Sequence, residues 1–287
     1  MTKYNYLFRS LVNFNHAKKC PYCSSPVSRT IDRKFFVTTL NECSECNLLF
    51  RHPLDSYEFN QKFYQEEYEQ DDKLTTDLPT PAHLEQLLRT NFSDTRKDFS
   101  AKINLIKNLV KNRSPKIVDF GANWGYASYQ LKKEGFEVQS YEISKPRAAY
   151  GKHLGIDIFT DESMLKENVD VFFSSHVIEH LPDIKMMFRL SQKLINENGF
   201  FVSFCPNGSE EFKQKNPESF HHFWGQVHPN FLNANFYAKA FRDVPYLIGS
   251  NFSSDNDILQ WNQESQTMLD LSGHELFVIA KLKNQKF

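Results

Sequence analysis

Three sets of residues in this chain have the types and spacing to do chemistry. The first is Cys20-Pro-Tyr-Cys23 with Cys43-Ser-Glu-Cys46, two Cys-x-x-Cys turns separated by 19 residues. Each turn presents two thiolates, and tetrahedral zinc accepts four. Two disulfides are the competing use of these cysteines, but they suit an oxidising compartment and fit poorly with pairs this close. A closed four-sulfur site has no open coordination position, so the zinc expected here is structural. The second set is Lys116 to Tyr126, KIVDFGANWGY. The third is a series of acidic and imidazole side chains, Glu179-His180, His221-His222 and His228, with His176 just before them. Such groups can accept or donate protons near neutral pH. The fifth cysteine, Cys205, ends a predicted buried strand and reads as core.

These residues need elements to hold them. Ile117 to Phe120 predict a short buried strand, Gly121 and Gly125 bracket a tight turn, and the following YASYQLKKEG predicts a helix. A strand that ends in glycines and opens a helix lets a ligand approach the backbone and meet free N–H groups. The spacing Asp-x-Gly-x-x-x-Gly is neither a dinucleotide fingerprint nor a triphosphate loop. A second strand, FEVQSYEIS, ends at Glu142, 23 residues after Asp119. A carboxylate at that strand tip can accept both hydrogen bonds of a ribose diol. IDIF, the run from Val169 to Phe173, FFVSFCP, VPYLIG and HELFVIAKLK predict five further strands, the last antiparallel. Helices are expected over 82–112 with a break at 91–95, from Pro146 to His153, over Ile184 to Asn196 and over 229–242. VSRTI and KFFVTTL alternate like strands of a small ribbon between the cysteine pairs.

KIVDFGANWGY resembles the first motif of the class I S-adenosylmethionine (SAM)-dependent methyltransferases, with Asn123 where many members have glycine. Asparagine tolerates a left-handed backbone, so the turn survives. The resemblance implies that Asp119 and the backbone of Gly121, Ala122, Asn123, Gly125 and Tyr126 hold SAM, with Glu142 and Ile143 at the ribose and Asp161 at the adenine amine. SSHVIEHLPD resembles the segment after the fourth strand in small-molecule members, which implies Ser175 and His176 at the cofactor and Glu179 and His180 near the reacting methyl. The tract CNLLFRHPLDSYEFNQKFYQEEY resembles one found behind the zinc ribbon in sugar C-methyltransferases. It makes Tyr64 and Tyr68 candidates to face a substrate, the alternative being an amphipathic helix with buried aromatics. In those enzymes the loop after the fifth strand reaches the substrate. Here it holds three histidines and five aromatics, so His221, His222 and Trp224 are substrate candidates and His228 the candidate general base. Val227 stands where a glutamate would precede that histidine. A second metal site in this loop is not expected.

The totals set bounds. The chain has 287 residues, 40% hydrophobic and 24% charged, with 27 phenylalanines and a net charge of −1. That describes a globular protein with a full core. Residues 1–53 carry eight basic and three acidic residues, a balance of +5, so the remainder stands at −6. No apolar run approaches the length of a membrane span, and no signal peptide is predicted, which makes the expected location cytoplasmic. The expected organisation is a zinc-binding module over 1–53, a helical linker over 54–112 and a Rossmann-like α/β domain with a seven-stranded methyltransferase sheet over 113–287. The expected activity is SAM-dependent methyl transfer to a small molecule, a nucleotide-linked sugar or glycan precursor. Two alternatives are carried: an RNA methyltransferase gripping phosphates with the ribbon, against which the total charge and the absence of a long Lys/Arg run argue, and a SAM-binding module without transfer. Oligomeric state is not readable from the sequence.

Overall fold

Strand β4 (Lys116–Phe120) runs through the larger sheet, its Ile117 and Val118 fully buried. The computed structural model describes residues 3–15, 17–55, 59, 77–110, 114–250, 260–285 and 287. Parallel to β4 lie β5 (Glu137–Tyr141) and β6 (Ile158–Phe159) on one side, and β7 (Val169–Ser175) and β8 (Ile195–Pro206) on the other. The apolar runs IVDF and VDVFF follow from this position, because helices cover both faces of a parallel sheet. The polar Asp170 of β7 accepts the N–H of Lys116 at 2.8 Å and the amide of Asn196 at 2.9 Å, so it ties the feet of three strands.

The far side of the sheet is antiparallel. β12 (Glu275–Ala280) pairs with β8, and β10 (Tyr246–Gly249) pairs with β12. The order β6-β5-β4-β7-β8-β12-β10 is the expected seven strands. An eighth was not expected: β11 (Gln266–Met268) adds parallel to β10. The polar stretch between β10 and β12 thus contributes an edge strand, and its Trp261 is buried against Phe200. Residues 251–259 lie outside the described set.

The helices follow their apolar stripes. α2 (Pro81–Arg89) starts at a proline under a Thr80 cap, and α3 (Ser100–Leu109) buries Ile103, Leu105, Ile106 and Leu109. Together they show the expected break near 91–95. α4 (Tyr126–Lys133) and α5 (Lys145–Tyr150) follow β4 and β5. α6 (Ile184–Leu194) buries Ile184, Met187, Phe188 and Leu194, and its Asp183 cap accepts the N–H of Lys185 at 2.9 Å.

A short helix, α1 (Lys3–Val12), precedes the small sheet, which is built from β1 (Ser28–Lys34), β2 (Thr38–Cys43) and β3 (Leu49–His52). Two differences from the sequence reading appear here. Phe35 and Phe36 form the hairpin turn with positive φ, so KFFVTTL is not one strand. The fourth strand, β9 (Asn230–Phe231), comes from far down the chain, so the helix expected over 229–242 shortens to α9 (Ala234–Ala240). Asn233 caps α9 and also donates to the Asn47 carbonyl at 2.8 Å. Cys20, Cys43 and Cys46 share a core with Phe188 and Phe236, and Tyr22 packs edge-on to both rings. The small sheet is thus fastened to the large one through a common core. The long connection after β8 is likewise partly core: α7 (Glu210–Lys215) and α8 (Pro217–Phe223) bury Phe212, Phe220 and Trp224 against Leu40, Leu49 and Phe231.

Candidate active site

The turn after β4 is shaped by three left-handed residues, Gly121 (φ 83°), Asn123 (φ 54°) and Gly125 (φ 90°). At Gly121 a Cβ would lie 2.2 Å from Cγ2 of Val177, so no side chain fits. The Asn123 side chain accepts the N–H of Trp124 at 2.8 Å, which holds a non-glycine residue in this conformation. Glu142 is 6% exposed. One of its oxygens accepts the Asn123 N–H and the other the Ser144 N–H, each at 2.9 Å. Burial raises its pKa above the usual carboxylate range, although the two N–H donors and the Arg147 charge pull the other way. The carboxylate is oriented by backbone, and each oxygen keeps a further lone pair for a ligand hydroxyl.

A cavity of about 1720 Å³ opens along the carboxyl ends of the parallel strands. Gly121, Asn123, Tyr126, Glu142 and Ile143 line one end, Ser175, His176 and His180 the middle, and His221, His222, Trp224 and His228 the other. Four expected cofactor residues are not among the described lining residues. Asp119 is buried, and its Oδ2 accepts the Ser128 hydroxyl at 2.6 Å, so its carboxylate serves the packing of α4 on β4. Asp161 is exposed and caps a short turn through the Ser163 N–H at 2.9 Å. Neither it, Ala122 nor Gly125 is among the described lining residues. Tyr64 and Tyr68 lie outside the described residues.

The middle of the cavity carries a charge relay that the sequence did not reveal. Lys102 Nζ lies 2.6 Å from Glu275 Oε1 and donates to Ser175 Oγ at 3.0 Å. Glu275 Oε1 in turn is 2.7 Å from His176 Nε2, and His176 Nδ1 stands 3.3 Å from Glu179 Oε1. Burial pushes His176 down, but the carboxylates of Glu179 and Glu275 on either side outweigh it and raise the imidazole to about 9. Burial pushes Glu179 up, and the surrounding imidazoles return it to about 2. Lys102 and His176 do the same for Glu275, also to about 2. His176 is therefore imidazolium at neutral pH. Glu275 had one available signal: a charged residue opening an antiparallel strand lies level with Pro206, the carboxyl end of β8.

His180 and His228 face each other with ring centroids 4.7 Å apart. His180 Nδ1 bonds the Val227 carbonyl at 2.6 Å, and His228 Nδ1 bonds the Phe223 carbonyl. These carbonyls assign the proton to Nδ1 in each ring and leave Nε2 as the lone-pair nitrogen. Burial lowers His180 to about 4 and pushes His228 down as well, so both are neutral at pH 7. Beyond them, Trp224 is buried, and its indole N–H donates to Asp32 Oδ2 at 2.8 Å. His221 Nδ1 lies 2.7 Å from the same oxygen. Lys34 reaches over the Trp224 ring, 4.5 Å from its centroid, and donates to the Trp224 carbonyl. Burial lowers Lys34 to about 8.

In the small sheet, Cys20 and Cys46 sulfurs are 3.5 Å apart and Cys23 and Cys43 sulfurs 3.4 Å apart, with all four within 4.8 Å. The cysteines are not disulfide-bonded. A tetrahedral zinc with Zn–S near 2.3 Å spaces sulfurs by about 3.8 Å, which this donor set can meet.

The chain matches the methyltransferase domain family over residues 85–245 and belongs to that family. It is an enzyme, a methyltransferase on the class I, SAM-dependent fold. The structure is similar to the plantazolicin methyltransferase BpumL in complex with SAH, with a TM-score of 0.52 and 13% identity over 78% of this chain and 95% of that one. A TehB-like SAM-dependent methyltransferase from Corynebacterium glutamicum aligns with a TM-score of 0.46 and 15% identity, over 72% of this chain and 100% of that one. TehB from Haemophilus influenzae aligns with a TM-score of 0.46 and 13% identity, over 68% of this chain and 65% of that one. No curated protein matches the sequence. Among the described residues no helix is long and apolar enough to cross a membrane.

Proposed function

We propose that the enzyme transfers the methyl group of SAM to a small polar acceptor, a sugar or sugar-linked metabolite, and that its small sheet holds a structural zinc. The observation that carries the reading is a single cavity lined by both the Gly121–Glu142 cradle and the His180–His228 pair. SAM, when bound, supplies an electrophilic methyl on a sulfonium. Glu142 receives the ribose hydroxyls, and the Gly121 turn allows close approach of the backbone. With SAM held there, this chain would align an acceptor oxygen or carbon with the methyl group, and proximity and alignment would supply much of the rate. The acceptor proton passes to His228 or His180, whose lone-pair nitrogens are neutral at pH 7. Lys34 and Trp224 wall the acceptor end, and a cation beside an aromatic face suits a sugar ring carrying an anionic group. Four thiolates packed around one point favour a divalent cation between them.

Calorimetric titration with SAM tests the cofactor part: micromolar binding supports it, and absence of binding at millimolar SAM sinks it. Elemental analysis tests the zinc part, with at least one zinc per chain expected.

A further inference from the structure

We infer that Glu179, His180 and His228 form a second metal site, for a first-row divalent cation, at the acceptor end of the cavity. Each residue offers one ligand atom, and the three atoms lie within 4.8 Å of one another. Within this set His180 Nε2 stands 3.9 Å from Glu179 Oε1. A cation bonded at about 2.1 Å spaces its ligands by roughly 3.0 to 3.4 Å, so small side-chain rotations close the set. Two imidazoles with one carboxylate is a donor set that borderline divalent ions accept with positions left open.

Three further observations point to an ion. Glu179 is fully buried, and neither of its oxygens has a hydrogen-bond partner among the described residues. The His176 imidazolium, 3.3 Å from Oε1, balances its charge, but the buried oxygens keep lone pairs that a bound cation would take up. His176 stands within ion-pair distance of Oε1 but without hydrogen-bond geometry, and it is already committed to Glu275. Both His180 and His228 give Nδ1–H to backbone carbonyls, of Val227 and Phe223, which turns Nε2 inward. A carbonyl on the outer nitrogen is how proteins orient a metal-binding imidazole. No sequence motif marks this set, because Glu179 and His228 are 49 residues apart and meet only when the loop after β8 folds over β7.

The open positions face the cavity through His180 and His228, both of which line it. Resting on the methyl-transfer reading, those positions take the oxygens of the acceptor. A hydroxyl bound there would release its proton more readily to solvent in the open cavity, so His180 and His228 would serve as ligands in place of the base role given to them above.

The test is metal binding alone, without SAM or acceptor. Full-length protein already carrying zinc on its cysteines is titrated with cobalt(II) chloride and followed by visible absorption and elemental analysis. We expect one cobalt per chain, with ligand-field bands and no thiolate-to-metal charge-transfer band. His228→Ala and Glu179→Gln should each weaken that binding at least tenfold, while the zinc content and far-ultraviolet circular dichroism stay as in the wild type. His221→Ala, outside the set, should leave it unchanged. A zinc-loaded wild type that takes up no cobalt overturns the inference, whatever the variants do. So does cobalt uptake that His228→Ala and His180→Ala leave intact. Methyl transfer that proceeds at full rate with SAM in a protein shown to bind no second metal would leave the functional reading standing and remove only this site.

Discussion

Glu275 Oε1 lies 2.7 Å from Nε2 of His176, a residue 99 positions earlier in the chain. The contact joins the antiparallel strand β12 to the end of the parallel strand β7 across β8. It fixes a half-exposed imidazole at the centre of the cavity, between two carboxylates and beside Lys102. We predict that Glu275→Gln, which removes the charge and keeps the shape, frees His176 to lose its proton nearer neutrality. Nuclear magnetic resonance titration of the His176 ring should show its pKa fall from about 9 towards the ordinary histidine value. An unmoved titration would mean that Glu179 alone holds the charge.

Glu142 gives a sharper prediction for the cofactor. Both oxygens are preset by the Asn123 and Ser144 N–H groups. Glu142→Ala should weaken SAM binding by about 10- to 100-fold, the value of one hydrogen bond to a charged group at about 1.5–3 kcal/mol. The change should appear chiefly in the dissociation constant measured by calorimetry, with a smaller fall in the melting temperature because the Asn123 and Ser144 N–H groups lose their acceptor.

Gly121→Ala should do the opposite on stability. The new methyl needs a left-handed backbone and meets Val177 Cγ2 at 2.2 Å. Strain and displacement together should cost about 2–3 kcal/mol. A thermal melt of several degrees below wild type checks it, accompanied by loss of SAM affinity because the displaced Val177 lines the cavity.

Asp119 predicts a pH dependence. Burial raises its carboxyl to about 6, against the Ser128 hydrogen bonds, which lower it. A carboxyl whose folded pKa lies above its unfolded value stabilises the fold below the unfolded value, near 3.8, and that contribution is lost as pH rises through about 6. Asp119→Asn should therefore gain stability relative to wild type between pH 4 and pH 6 and keep that gain at pH 8. Denaturant unfolding across this range measures it, and a difference independent of pH would contradict it.

Much of the fold was legible because its signals are local. Alternating and continuous apolar runs mark the strands, Gly121 and Gly125 mark the turn, and the two Cys-x-x-Cys pairs mark the small sheet. What escaped was whatever depends on distant pairing. β9 is two residues long and becomes a strand only because β3 offers an edge. β11 lies within a polar stretch and is extended only against β10. At the site, Glu142, His176, His180 and His228 follow motifs and reach the cavity, while Lys102 and Glu275 carry no motif and arrive there by topology. Asp119 and Asp161 show the converse: residue type and order fit a ligand role, yet Ser128 and Ser163 take up their carboxylates.

The most direct test of the central claim uses SAM labelled in its methyl group, incubated with the protein and an extract of the source cells, after which small molecules, RNA and protein are separated and counted. The account predicts label in the small-molecule fraction, at the size of a sugar or nucleotide-linked sugar, and its loss in Glu142→Ala. Label in RNA, or none in any fraction from an extract shown to support SAM binding by this protein, would contradict it.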